Sequence, residues 1–377
     1  MADGSVAADR AAEVSAGFAR YRGKRVLVTG HTGFKGGWLA LWLKELGAEV
    51  TGFALAPDTE PALFRAIELE GDVTHRLGDL RDRASVRKVI DEARPDAIFH
   101  LAAQPLVRRS YREPVETFAT NVMGTVHVLE AVRERGQACA VVIVSSDKCY
   151  ENEGSGTARV EGDPLGGHDP YSASKGACEL VVQAYRQSYF APEKLAQHGV
   201  ALASGRAGNV IGGGDWAEDR IVADAVRAFG KGEALTVRNP GSTRPFQHVI
   251  EPLAGYLTLG ARLLEGGARA QAASRGWNFA PNCSATVREL VTSLAQAWGE
   301  GARFEERPVP GEPHEAKALV LDASAAEREL FWRSKWELAE AARRTALWAH
   351  AHRAGEDAQR LRARFFADVA DWRQAHG

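Results

Sequence analysis

An α/β fold built on a doubly wound parallel sheet is what this chain of 377 residues predicts, and three observations predict it. Arg25-Val-Leu-Val-Thr29 reads as a short buried strand running straight into the glycine turn Gly30-His-Thr-Gly33-Phe-Lys-Gly36. Strand-like and helix-like segments then alternate as far as Ser146, the grammar of parallel strands joined by right-handed helical crossovers. Far downstream, Tyr171-Ser-Ala-Ser-Lys175 sets a phenol and an ammonium four positions apart, on one face of a helix.

Taken in order, Trp38 to Leu46 follows the turn as a helix closed by Gly47, and Glu49 to Leu55 returns as the second strand. Thr74 to Gly78 is the third strand, Ser85 to Ala93 a helix, and Ala97 to Leu101 the fourth strand. Pro114 to Arg135 is predicted as one helix with proline in its first turn. Ala140-Val-Val-Ile-Val-Ser-Ser146 is the next strand, and Ser172 to Tyr189 the helix that carries the phenol. Ligands of such sheets bind at the carboxyl ends of the strands.

After Val210 the pattern changes. Gly212-Gly-Gly214 and the Pro/Gly-rich Asn239 to Gly241 break it up, and helices are predicted at Asp219–Phe229, Thr286–Trp298, Ser324–Phe331 and Leu338–His350. The stretch from Glu356 is arginine-rich, and its apolar residues recur at helical spacing for packing on the body or a partner. The predicted division is a flexible extension over 1–23, a dinucleotide-binding domain over 24–210, and a smaller mixed α/β lobe over 211–377 whose segment near 249–282 returns to the first domain.

Composition bounds the function. With 45% hydrophobic and 25% charged residues the chain is of globular type. A net charge of −2 gives no general attraction to nucleic acid. No apolar run approaches the roughly 20 residues that span a bilayer, so no membrane partner is expected. Cys139, Cys149, Cys178 and Cys283 form no metal-binding spacing and read as reduced thiols of a cytoplasmic protein. No metal site is expected.

Gly30 permits a tight bend, Gly33 lets a pyrophosphate approach the backbone, and Gly36 lets helix and strand pack closely. The second strand ends Phe53-Ala-Leu-Ala-Pro-Asp58 without the usual acidic residue for the adenosine ribose. Asp58 reads equally as that contact or as a turn residue, so NAD and NADP are not separated here. Asp79-Leu80 reads as an adenine contact or a helix cap. Lys175 beside Tyr171 is expected to lower the phenol from about 10 and supply a phenolate base near a nicotinamide. Ser145-Ser146-Asp147-Lys148 ends a strand on the ligand side, a polar tip that packing does not explain.

Several stretches together resemble the extended short-chain dehydrogenase/reductases and, within them, the CDP-glucose 4,6-dehydratases. They are Val28 to Gly36, His100-Leu-Ala-Ala-Gln104, Ser146-Asp-Lys-Cys-Tyr-Glu-Asn152, Gly166 to Lys175, Arg206 to Trp216 and Arg238 to Val249. The resemblance implies a Rossmann-type sheet and NAD held by Gly30, Thr32, Gly33, Phe34, Gly36, Asp79, Leu80, Leu101, Ala102, Ala103, Asn121, Tyr171 and Lys175. It implies CDP-glucose as substrate, with Tyr171 as base at O4 and Ser146 hydrogen-bonding the same hydroxyl. Asp147 becomes the acid for the leaving hydroxyl and Lys148 the candidate base at C5. A free lysine is protonated at neutral pH, with a pKa of about 10.4, so that last role demands desolvation or nearby cations.

The resemblance further implies that Arg244 and Arg220 grip the diphosphate, with Gln104, Asn209, Arg238 and His248 near the nucleotide sugar. A homodimer or homotetramer is implied, as is a place in deoxysugar biosynthesis. A nucleotide-sugar 4-epimerase needs neither Asp147 nor Lys148, and an NAD-sensing binding protein need not keep the set. His100 reads as a packed strand residue, and His31 receives no role.

Overall fold

The computed structural model describes residues 16–152, 154–307 and 318–375. Six strands, β1 (Arg25–Thr29), β2 (Glu49–Ala54), β3 (Thr74–Leu77), β4 (Ala97–His100), β5 (Cys139–Val144) and β6 (Val200–Ala207), join the strand Gly276–Phe279 in one seven-stranded sheet. Its order is Gly276–Phe279, β6, β5, β4, β1, β2, β3, and each neighbouring pair runs parallel. The apolar run of β5 is buried over its full length, as a strand covered on both faces must be. The chain builds outward from β1 to β3 and then crosses back to β4, so the crevice at the carboxyl ends of β1 and β4 is the switch point where a ligand fits.

The helix Phe34–Glu45 starts at the glycine turn. Gly36 is required there, because a Cβ on it would lie 2.0 Å from the Gly30 carbonyl oxygen. The helical run expected over Pro114–Arg135 is continuous but changes gauge: the π-turn Ala119–Met123 separates helices Pro114–Phe118 and Gly124–Arg135. Such widened turns are characteristic of functional segments, and this one carries the buried Asn121. The helix Pro170–Ser188 packs against this run. Ala326–Leu330, within the helix expected over Ser324–Phe331, is also a π-turn.

One expectation needs correcting. The flexible extension expected over 1–23 is shorter, because residues 16–23 hold Phe18 and Tyr21 in the core; residues 1–15 lie outside the described residues. Phe18 and Tyr21 are buried, and the Tyr21 hydroxyl donates to the Leu257 carbonyl at 2.6 Å. Those two aromatic rings provide the apolar area that an Ala/Ser-rich tail lacks.

The second lobe is built from short strand pairs, Ala234–Val237 with Arg303–Glu306 and Thr243–Arg244 with Ala285–Thr286, around a core that includes Phe229, Leu235 and Leu290. The helix Ile250–Glu265 leaves this lobe to pack on β5 and β6. The helix Ala358–Gln374 docks its apolar face on Phe34–Glu45, where Phe365 stacks on Trp38 at 4.3 Å between ring centres. Glu251 locks that arrangement from below, accepting from Trp372 Nε1 at 2.9 Å and from the Trp336 amide at 2.8 Å.

Candidate active site

β5 delivers its polar tip to the crevice one residue at a time. The Ser145 amide donates to the Gly205 carbonyl at 3.0 Å, extending the ladder by a residue. Ser146 then caps the short turn Asp147–Cys149, its Oγ accepting from the Lys148 amide at 3.2 Å. With that lone pair used, the Ser146 hydroxyl donates to Asp147 Oδ1 at 2.8 Å. Asp147 is only 2% exposed, and its Oδ2 has no hydrogen-bond partner among the described residues. Burial raises the Asp147 carboxyl above its ordinary range, against the pull of Lys148, Ser146 and Arg244. A carboxyl raised in this way is better suited to donate a proton than an ordinary surface aspartate. Lys148 on the same turn is half-buried.

Tyr171 enters from the helix Pro170–Ser188. Asp169 caps that helix, accepting from the Ser172 amide at 2.9 Å and the Ser172 hydroxyl at 2.6 Å, and Pro170 takes the first position, where a missing N–H costs nothing. The phenol is buried, and Ser146, Asp147 and Arg220 act on it. Its pKa departs from the sequence-based expectation. Burial pushes it well up, the Asp147 charge adds to this, and Ser146 and Arg220 only partly offset the rise. Lys175 is buried on the same helix, and burial lowers its own pKa. Its charge acts instead on His100 and Lys35.

The tip and the helix are tied together underneath. Glu179, two turns beyond Tyr171, accepts from the hydroxyls of Ser145 and Ser204, the latter at 2.8 Å, and from Arg206 Nη2 at 2.7 Å. Sequence reading missed this network, since only the fold brings β5, β6 and the helix together. It also missed Lys35, which stood in plain view as a cation inside a glycine turn. Lys35 Nζ lies 5.7 Å from the Tyr256 ring, and burial with Lys175 and Arg220 nearby lowers it to about 7. The buried Tyr256 hydroxyl has no hydrogen-bond partner among the described residues.

The glycine turn has the shape of a pyrophosphate cradle. Gly30 has φ +80° and abuts Ala102, where a Cβ would lie 2.8 Å from the backbone, whereas Gly33 has only the Gly30 carbonyl oxygen near, at 3.5 Å. Thr32 Oγ1 donates to the Leu55 carbonyl at 2.9 Å and fixes the turn to the end of β2. Phe34, Leu101, Ala102 and Ala103 surround the same crevice end, partly buried. Asp79 is paired with Arg81 at 2.6 Å, Asp82 being the cap of the following helix, while the Leu80 side chain is buried and its carbonyl accepts from His127 at 2.7 Å. Asp58 acts electrostatically on Arg109 and Arg220.

Asn121 and Gln104, both expected at the ligands, are hydrogen-bonded within the loop after β4. The Asn121 amide brackets the Gln104 backbone at 2.8 and 3.1 Å and reaches Ser174 Oγ at 2.8 Å. The Gln104 side chain donates to Thr117 at 2.9 Å and accepts from the Leu106 amide at 2.6 Å. Both hold the loop after β4 in place. His248, expected near the nucleotide sugar, is buried against Trp336, with ring centres 5.1 Å apart, and burial lowers it to about 3. His100 is packed as expected, its Nδ1 2.8 Å from Thr29 Oγ1. His31 is buried with its Nε2 2.6 Å from His75 Nδ1.

Arg220, Arg238, Arg244 and Asn209 converge on a cavity of about 210 Å³ walled mainly by the second lobe, which Arg108 also lines. Arg220 is set by Asp215 at 2.7 Å, Arg238 by Asp219 at 3.3 Å, and Arg244 donates to the Thr243 carbonyl at 2.8 Å. Clustered guanidinium forks suit a diphosphate. Among the described residues no group of His, Cys, Asp and Glu could hold a metal ion, and no helix is long and apolar enough to cross a membrane.

The sequence model of the GDP-mannose 4,6 dehydratase family matches residues 27–345. The chain is 49% identical to a CDP-glucose 4,6-dehydratase of Salmonella typhimurium over 341 residues, 89% of this chain and 93% of that one. It is 28% identical to a dTDP-glucose 4,6-dehydratase of Streptomyces griseus over 340 residues, 87% and 94% of the two chains. A Thermus thermophilus UDP-glucose 4-epimerase solved with NAD superposes with a TM-score of 0.72 at 28% identity, over 86% of this chain and 99% of that one. A Streptomyces venezuelae dTDP-glucose 4,6-dehydratase, also solved with NAD, gives a TM-score of 0.72 at 26% identity over 88% and 98%.

Proposed function

The chain belongs to the GDP-mannose 4,6 dehydratase family of extended short-chain dehydrogenase/reductases, and we propose that it converts CDP-glucose to CDP-4-keto-6-deoxyglucose. The observation that carries this reading is the Ser146-Asp147-Lys148 tip against Tyr171, in a chain 49% identical to a CDP-glucose 4,6-dehydratase. An epimerase has no need of an acid and a base beyond Tyr171. The reaction is a loss of water, so the enzyme is a hydro-lyase.

NAD is the cofactor, and the open side of Gly33 with the crowded Gly30 and Gly36 fits its pyrophosphate. When bound, it supplies oxidation at C4 and return of the same hydride at C6. The protein's own part is proton handling. Tyr171 takes the O4 proton, Ser146 orients that hydroxyl, Lys148 takes the C5 proton made acidic by the 4-ketone, and Asp147 protonates the departing O6. Arg220 and Arg244 hold the diphosphate, with Arg238 and Asn209 toward the nucleoside.

A division of labour follows: residues 24–210 hold the cofactor and 211–377 mainly hold the nucleotide sugar, with segment 249–282 returning to the sheet. The pairing of Gly276–Phe279 with β6 supports it. A homodimer or homotetramer is also part of this reading. Val115 is 82% and Leu180 55% exposed on two helices that already pack together, and Phe118 and Met123 are exposed beside them. A cytoplasmic location rests on four free cysteines, three of them buried thiols.

The test is a panel of CDP-, UDP- and dTDP-glucose read by the alkaline chromophore of a 4-keto sugar. Cytosine presents an amine donor where uracil and thymine present a carbonyl, and a site hydrogen-bonded to that edge rejects the wrong base strongly. Product from CDP-glucose alone is expected. Equal specificity constants for all three would overturn the base assignment and leave the dehydration intact.

A further inference from the structure

The water loss proposed above asks more of the protein than the strand tip supplies. In that step the C5–H bond breaks, its proton passes to Lys148, and its electrons form the C5–C6 double bond. The C6–O6 bond breaks as O6 takes the Asp147 proton and departs as water, leaving Lys148 protonated and Asp147 ionised. The Asp147 carboxyl must therefore be held in one place, in its acid form, until the 4-ketone exists. Ser146 fixes only one end of it. The Ser146 hydroxyl donates to Oδ1 at 2.8 Å, while Oδ2 is buried without a hydrogen-bond partner among the described residues.

We propose, on the dehydratase reading, that Gly208 is the positioning residue of this acid: its bare Cα leaves the notch in which the Asp147 carboxyl sits, and water loss depends on that notch. A Cβ on Gly208 would lie 2.7 Å from Asp147 Oδ2, 3.1 Å from its carboxyl carbon, and closer still to Pro245 Cγ. Non-bonded atoms pack at about 3.5–4.0 Å, so a side chain here must displace one of these neighbours. The Pro245 ring is buried and rigid, between the buried Arg244 and Phe246. The carboxyl, at the free end of a side chain, is the group that gives way. Backbone conformation does not call for glycine here, because the φ of Gly208 lies outside the left-handed region. Room is what the glycine supplies.

The position of Gly208 in the fold supports this role. It follows β6 directly and precedes Asn209, whose carbonyl accepts from the Gln247 amide at 3.1 Å. The end of β6, the acid of the β5 tip and the segment that carries Arg244 therefore meet at a residue with no side chain. The same notch accounts for the burial of the acid. Asp147 is almost wholly buried, and that burial outweighs the pull of Lys148, Ser146 and Arg244 on its carboxyl. A carboxyl pushed out of the notch toward water would return toward the ordinary aspartate value of about 3.9 and would have no proton to give at neutral pH. Oxidation at C4 uses Tyr171 and asks no proton of Asp147, so a side chain at Gly208 separates the two steps.

The experiment compares the wild-type holoenzyme with Gly208→Ala, checked for fold and cofactor content, on CDP-glucose and on its 6-deoxy-6-fluoro analogue. Fluoride leaves as an anion and needs no proton, so its release bypasses the acid. Reduced-nicotinamide absorbance in a single turnover reads oxidation at C4, the 4-keto-6-deoxy product reads water loss, and a fluoride electrode reads elimination from the analogue. Gly208→Ala is expected to oxidise C4 and to release fluoride at rates within about threefold of wild type, while losing water at least ~10-fold more slowly. Reduced nicotinamide should then build up on the variant with CDP-glucose but not with the analogue. If water and fluoride are lost equally slowly, the side chain disturbs the site at large and the proposal is wrong. Water loss within about twofold of wild type, or faster, also removes it. Should Gly208→Ala not fold, Pro245→Ala opens the other wall of the notch and takes its place. Slower water loss with unchanged fluoride release then supports the notch, and equal slowing of both, or of neither, overturns it. Absence of any 4-keto product from the wild-type enzyme would instead refute the dehydratase reading itself.

Discussion

Arg206 on β6 meets Glu179 on the helix of Tyr171 at 2.7 Å, with both side chains almost wholly buried. Through the Ser145 hydroxyl the same carboxylate reaches the strand tip that bears Asp147, and through Ser204 it holds β6. Removing one member of a buried pair strands the other charge and costs about 3–5 kcal/mol. Glu179→Leu is therefore expected to lower the melting temperature by on the order of 5–10 °C, while Lys44→Ala on the exposed side of the Phe34–Glu45 helix leaves it within about 1–2 °C. A shift of less than about 2 °C for Glu179→Leu, read by calorimetry on the holoenzyme, would show the network to be dispensable.

Acid sensitivity follows from three buried histidines. Burial holds His31, His100 and His248 each near 3, whereas an unfolded histidine titrates near 6.5. A depressed histidine contributes its full stability above the unfolded value and loses it as pH falls below about 6.5 toward the folded value. The loss is about 1.4 kcal/mol per pH unit for each fully buried histidine. Urea midpoints measured from pH 7 down to pH 5, above the main carboxylate range, are expected to fall steadily. A flat profile over that interval would mean that these rings are protonated in the folded protein.

Lys148 lies on the turn that presents Asp147 to the crevice, and it is the candidate base at C5. Lys148→Met keeps the aliphatic stem and removes the amine. Oxidation at C4 is expected to persist, so the reduced-nicotinamide absorbance should build up with substrate while C5 deuterium exchange stops. General-base contributions of about 10²–10⁴-fold set the expected fall in product formation. Near-normal product would take Lys148 out of the mechanism.

The exposed Val115 and Leu180 predict association. Each presents apolar surface to solvent on neighbouring helices, and a second copy related by a two-fold axis would cover both. The wild-type chain is expected to sediment as a dimer or tetramer at micromolar concentration, and Val115→Asp with Leu180→Asp to yield monomers. A wild-type monomer would show that the patch serves some other purpose.

Much of this was legible in the sequence, for reasons local to each motif. The glycine turn, the tip after β5 and the Tyr171–Lys175 spacing lie within a few residues of chain, and short-range geometry fixes their relation. What escaped needed the folded surroundings. The Tyr171 phenol was expected to be lowered by Lys175, but its burial and the Asp147 charge outweigh the cations near it. His248 follows a basic, ligand-type motif, yet Trp336, distant in sequence, claims its ring. Gln104 and Asn121 carry ligand-type amides that the loop after β4 uses for itself. Phe18 and Tyr21 sit in a stretch whose average composition hides two anchors.

In the proposed reaction one sugar is oxidised at C4 and reduced at C6 within a single bound cycle. CDP-glucose carrying deuterium at C4 tests it most directly, with the product examined by NMR and mass spectrometry. The expected product is CDP-4-keto-6-deoxyglucose with one deuterium at C6, none at C4, and no reduced nicotinamide accumulating in solution. Deuterium still at C4 of an epimeric sugar, or carried away on released reduced cofactor, would contradict it.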